Sequence, residues 1–206
     1  MSYICNTLIK QFYKRNSLIK LILCMILISP VRAELESVSS NQVNQKNTNI
    51  NLFVTWEGSE PDKGASAWLI KRFVNKDAYF KMIPKGEAIQ YGIPFDVPES
   101  EFRRTHQFST FETIQRKYNI TDPTVLMLGK VIHDLEINTW GKNIAKETPL
   151  VKQALRDLRQ LYGEKIVHID CNIALFDVIF SQLKNNSYET IQIHIPPLCV
   201  DLEKIQ

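Results

Sequence analysis

Apolar residues recur at two spacings along this chain, and the spacing changes with position. Ile50-Asn51-Leu52-Phe53-Val54-Thr55-Trp56 is a β-branched and aromatic run that stops at Glu57-Gly58-Ser59, which predicts a strand. Ala65, Leu69 and Phe73 then recur every fourth residue with Trp68 beside them, predicting a short helix from about Ala65 to Val74 with one apolar face. Ala78-Tyr79-Phe80-Lys81-Met82-Ile83 predicts a second strand, ended by Pro84. Ile93-Pro94-Phe95-Asp96-Val97-Pro98 can only be a short or edge segment, because its two prolines lack ladder donors.

Beyond residue 108 the helical spacing dominates. Ser109-Thr110-Phe111-Glu112 is a capping box ahead of Phe111, Ile114 and Tyr118. Asp122-Pro123 places a cap and a first-turn proline before Val125, Leu128, Ile132 and Leu135. Thr148-Pro149 repeats the device, with Thr148 as the cap, for a helix carrying Val151, Leu155, Leu158 and Leu161 to a stop at Gly163. Asp170 is the expected cap of a further helix containing Ile173, Phe176, Ile179, Phe180 and Leu183. Thr190-Ile191-Gln192-Ile193-His194-Ile195 alternates like a strand before Pro196-Pro197. The expected fold is a single α+β domain, a small N-terminal sheet followed by a predominantly helical body.

The N-terminus reads differently. Lys10, Lys14, Arg15 and Lys20 precede an apolar run from Leu21 to Ile28, then Pro30 and Val31-Arg32-Ala33. That order is the pattern of a secretory signal peptide over residues 1–33; the alternatives are an uncleaved anchor or a buried N-terminal helix. The run falls short of the ~20 apolar residues of a spanning helix. Polar residues 34–50 read as a flexible linker, residues 51–186 as the domain and 187–206 as a tail. Removing 1–33 takes away five basic residues and no acid, turning the net charge from +3 to −2. The expected exported chain, periplasmic or extracellular, thus has no basic footprint for nucleic acid. Cys171 and Cys199 remain, able to pair in an oxidising compartment or to stay as buried thiols.

Several blocks resemble a known family. The run Asp62-Lys63-Gly64-Ala65-Ser66-Ala67-Trp68-Leu69-Ile70-Lys71-Arg72-Phe73-Val74-Asn75-Lys76-Asp77 is similar to the signature of the chromate-resistance exported protein family, the C-terminal domain of the chromate-responsive protein ChrB. Ile93 to Pro98 with Glu101-Phe102, Thr110-Phe111-Glu112, Tyr118 to Pro123, Val131-Ile132-His133-Asp134 and Phe176-Asp177 resemble further blocks in the same order, over about residues 53–184. The resemblance implies a stress-response domain of the bacterial envelope. Where the family carries Cys this chain has Ser66 and Ser109, and where it carries His this chain has Arg104. These departures replace thiol and imidazole ligand types by hydroxyls and a cation, which weakens the case for a soft-metal or thiol redox role at these positions.

The candidate chemistry lies in two groups. Asp62, Glu101, His133 and Asp134 are hard or borderline ligand types suited to a divalent metal ion, and His106 is a substitute ligand. Arg72 and Arg104, with Lys71 and Arg103 beside them, are donors suited to an oxyanion such as chromate. The competing expectation for each group is structural: a helix-end His-Asp pair bonded to backbone, and cations on a solvated face. His168 and His194 read as structural or surface residues. Trp68, Leu69 and Phe73 read as core. No phosphate loop, nucleophile elbow or His-Glu-x-x-His helix is present. Enzymatic acid–base work by His133 and a structural or partner-binding role are the alternatives to ion binding or sensing.

Overall fold

A computed structural model describes residues 50–163, 165–185 and 194–203. The signal-peptide reading, the linker and most of the Thr190–Ile195 strand lie outside the described residues. Three strands form a parallel sheet in the order β2-β1-β3: β1 is Leu52–Trp56, β2 is Tyr79–Ile83 and β3 is Ile93–Pro94. β1 is central, with Phe53 opposite Phe80 on one side and Ile93 on the other. Central placement explains why Phe53 and Val54 are buried. Pro94 is tolerated because β3 is an edge strand with one partner.

Helix α1, Pro61–Leu69, joins β1 to β2 and continues as a π-turn over Ile70–Val74. It starts four residues before the expected Ala65, because Pro61 occupies the first turn, where its missing N–H costs nothing. Its burial also departs from the expected single face: Asp62 through Leu69 are all buried. Gly64 makes this possible, since a Cβ there would lie 2.8 Å from Asn172. Phe73 is not core. It is 36% exposed at the rim, its ring against Trp68 at 5.4 Å and Phe180 at 5.8 Å.

The remaining helices are α2 Thr110–Lys117, α3 Pro123–Glu136, α4 Thr148–Tyr162, α5 Ile169–Lys184 and α6 Pro197–Glu203. Ser109 caps α2 through a complete capping box, and Asp122 caps α3, both as expected. Two caps differ. Glu147, not Thr148, precedes α4, because the Thr148 hydroxyl donates to Asp134 at 2.8 Å. His168, not Asp170, precedes α5, leaving Asp170 in the first turn, where its charge suits the helix dipole. α1 packs on α5, α2 and α3 around Trp68, Phe111, Leu128, Ile132 and Phe176. Cys171 at the start of α5 is disulfide-bonded to Cys199 in α6.

Candidate functional site

The polar centre of the domain begins with Asp62 at the start of α1. This carboxylate is buried and accepts hydrogen bonds from the backbone N–H of Thr110 at 2.6 Å and of Phe111 at 2.8 Å. The Ser66 hydroxyl donates to it at 3.3 Å. The first three N–H groups of α2 are thereby accounted for, two by Asp62 and the third, on Glu112, by Ser109 Oγ at 3.2 Å. Asp62 thus joins the N-termini of two helices that are 48 residues apart in sequence.

Three further acids surround this point. Glu136, at the end of α3, accepts from the Asp62 N–H at 3.4 Å and from Arg104 at 2.6 Å. Asp96 accepts from the Thr110 hydroxyl at 2.8 Å and lies 3.9 Å from the ammonium of Lys63. Lys63 is buried and donates to Glu60 at 2.7 Å. Asp96 has φ +52°, a left-handed conformation uncommon outside glycine. Its N–H is pinned to the Phe102 carbonyl at 2.7 Å. Strain of this kind gathers at functional sites.

These side chains line an open cleft of about 420 Å³. Lys85, Arg103 and Arg104 stand on its rim, and Asp62, Asp96 and Glu136 lie deeper. Burial pushes Asp62 up to about 6, outweighing its two backbone donors, with Glu136 adding to the rise. Burial, with the charge of Asp62 next, pushes Asp96 up to about 7. Burial also raises Glu136, against the pull of Arg104. Glu60 moves the other way: burial would raise it, but the bond from Lys63 holds it below the usual range. Burial and the charges of their neighbours raise all three carboxyls, and Asp96 retains its proton into the neutral range.

The metal set expected from the sequence does not assemble. Glu101 is exposed and paired with Lys117 at 2.6 Å. His133 Nδ1 lies 3.0 Å from Glu112, inside the capping box of α2. Asp134 is buried and accepts from the N–H groups of Ile144 and Ala145, from Thr148 and from Asn138. Burial would raise Asp134, but these bonds hold it below the usual carboxylate range. His106 is exposed. Among the described residues no group of three or more His, Cys, Asp and Glu side chains is placed to hold a metal ion. The two oxyanion candidates also separate. Arg72 forks onto Asp177 of α5, with bonds of 2.8 and 2.5 Å, and Trp68 donates to the same carboxylate. Only Arg104 reaches the cleft. Sequence reasoning did not single out Asp96 and Glu136. An acid between two prolines in an apolar block was the available signal for Asp96; nothing marked Glu136.

The family model described as ChrB, C-terminal domain, matches residues 53–183. The chain belongs to the ChrB C-terminal domain family. This ties it to chromate resistance and agrees with the blocks that carry the resemblance. No curated protein and no solved structure matches it. In this ChrB C-terminal domain, the three positions where the resemblance marks a departure fall around one centre. Ser66 bonds Asp62, Ser109 precedes the N–H groups that Asp62 takes, and Arg104 bonds Glu136.

Proposed function

We propose that this ChrB C-terminal domain binds a small tetrahedral oxyanion of the chromate or sulfate type in the Asp96 cleft, as part of an exported stress-response protein. The observation that carries the reading is the pairing of rim cations with a floor of proton-retaining carboxyls. Lys63, Lys85, Arg103 and Arg104 face the cleft with Glu57, Glu60, Asp62, Asp96 and Glu136. Fully ionised, five acids outweigh four bases and repel an anion. Each proton held by Asp62, Asp96 or Glu136 removes one negative charge, so two protons make the cleft net cationic. A protonated carboxyl also donates a hydrogen bond to an oxyanion oxygen. Arg103 and Arg104 supply charge-assisted donors.

Titration calorimetry with chromate, sulfate and phosphate at pH 6 and pH 8 tests the reading. Binding of at least one anion is expected at pH 6, weaker at pH 8, and lost when Lys85 and Arg103 are both replaced by Gln. Silence toward all three overturns it. A divalent cation held by the same acids would show the reverse, binding better at pH 8, so zinc and magnesium belong in the same series. Export is supported by the Cys171–Cys199 pair, a bond suited to an oxidising compartment. Cell fractionation of the tagged protein checks it: recovery solely with the cytoplasm removes that part of the proposal.

A further inference from the structure

Asp134 raises a question that the cleft does not answer. It is buried, and its four donors all come from one stretch, residues 138–148. Its Oδ2 takes the N–H of Ile144 at 2.8 Å, the N–H of Ala145 at 2.9 Å and the Thr148 hydroxyl at 2.8 Å. Asn138 links its Oδ1 to the carbonyl of Lys142, with bonds of 3.1 and 2.9 Å. Gly141 N–H closes back on the Asn138 carbonyl at 3.2 Å, and Asn138 N–H on that of His133 at 2.9 Å. The loop is therefore held in one shape by a buried charge.

What this loop presents is unusual for a free surface. Trp140 is 99% exposed and Ile144 58% exposed. Lys142 and Lys146 are exposed beside them, and no acid occurs from 137 to 146. Lys152 and Arg156, exposed on the first turns of α4, line the same hollow as Thr139 and Asn143 of the loop. Glu147, the next acid along the chain, is buried. A tryptophan at the tip of a cation-flanked loop has the composition of an interfacial anchor: its ring suits the boundary between headgroup and acyl chain. The cations suit an anionic bilayer surface. A stable protein contact needs about 800 Å² from each partner. One tryptophan and one isoleucine with charged neighbours supply little of that apolar area.

We propose that the 138–146 loop docks this domain on an anionic lipid surface, with Trp140 and Ile144 entering the headgroup boundary and Lys142 and Lys146 facing the headgroups. The anchor is held in place by Asp134 and is separate from the Asp96 cleft, so it stands independently of oxyanion binding.

The test uses the full chain with vesicles of phosphatidylcholine containing phosphatidylglycerol, and with vesicles of phosphatidylcholine alone. The anionic vesicles should shift tryptophan emission to the blue, and brominated lipid should quench it. Trp140→Ala should lose the shift and the quenching; at 99% exposure the substitution leaves the fold intact. Lys142→Gln should bind about fivefold more weakly, the effect of one interfacial charge. Trp56 and Trp68 also emit, so the reading is the part of the change that Trp140→Ala removes. Attachment of vesicles through the apolar stretch 21–28 alone would leave Trp140 emission unchanged, and that result overturns the proposal. Burial of Trp140 without lipid, as concentration-dependent self-association in the ultracentrifuge, would assign the loop to a protein contact and also overturn it.

Discussion

Asp62 and Asp134 are both buried acids at helix ends, yet they titrate in opposite directions. Asp62 shares its surroundings with Asp96 and Glu136, so burial and like charge raise all three. Asp134 has only donors around it and is lowered despite burial. The signs for stability follow. Asp96, pushed up to about 7, keeps in the folded chain a proton that the unfolded chain releases near its usual range. Its contribution is present at acid pH and is lost as pH rises from about 4 through 7. Asp96→Asn should therefore raise the urea midpoint at pH 8 more than at pH 5 and flatten the pH dependence between them. An equal change at both pH values would show that Asp96 titrates normally. Asp134 contributes the reverse, present above the ordinary carboxylate range and lost below it. Sequence reading marked Asp62 and Asp134 as polar residues of consequence and expected them as metal ligands, whereas the structure pairs them with backbone donors. The difference has a physical source. Their partners are backbone N–H groups of α2 and of the 138–146 loop, and such partners leave no trace in residue identity.

Among the elements, the signature run shows both what a sequence pattern carries and what it omits. Its four-residue spacing correctly gave a helix, and the capping signals of α2 and α3 were legible because each needs only local residues. The burial of α1 on all sides was not legible, since that depends on α5, α2 and α3 closing over it. Gly64 is where the closure is tightest. Gly64→Ala puts a methyl 2.8 Å from the Asn172 side chain, too close without displacement of α1 or α5. Overpacking of this kind costs about 1–3 kcal/mol, while alanine's better helix propensity returns about 1 kcal/mol. A net loss of about 1 kcal/mol in urea unfolding is expected, relieved when Asn172 is shortened to Ala in the same chain. A stabilised single variant would show that the α1–α5 contact is looser than described. Arg72 belongs at this scale too. It ties the π-turn to α5 through Asp177, and Arg72→Ala should leave any oxyanion binding intact.

At the scale of the molecule, a three-stranded parallel sheet is a small core, and the helices supply most of the buried apolar surface. Among the described residues no helix is long and apolar enough to cross a membrane. α6 is tied to this body by the Cys171–Cys199 bond and by the Tyr162 hydroxyl, which donates to the Cys199 carbonyl at 3.1 Å. A cross-link spanning 28 residues is worth about 3–4 kcal/mol in the chain-entropy account. Reduction with dithiothreitol should lower the unfolding free energy by that order. A double Cys171→Ser, Cys199→Ser variant should match the reduced protein; equal stability of the oxidised chain, the reduced chain and this variant would mean that α6 is held by packing alone. The fold class was legible in the sequence because strand spacing occurs only in short runs up to Pro98, around one helix, and helical spacing dominates after residue 108. The pairing of the cysteines was left open, since spacing alone does not bring two thiols together.

The same bond sets an order of events during assembly. Both sulfur-bearing residues are fully buried once the domain is complete. An oxidant or a disulfide-exchange enzyme cannot reach either sulfur once α6 has settled against α5. The cross-link must therefore form while α6 is still loosely docked, or wait for it to open again. Cys199 is synthesised 28 residues after its partner, so the window opens late. A chain that folds before meeting oxidant would be kinetically excluded from its own cross-link, and its history of synthesis would remain readable as a reduced, less stable population.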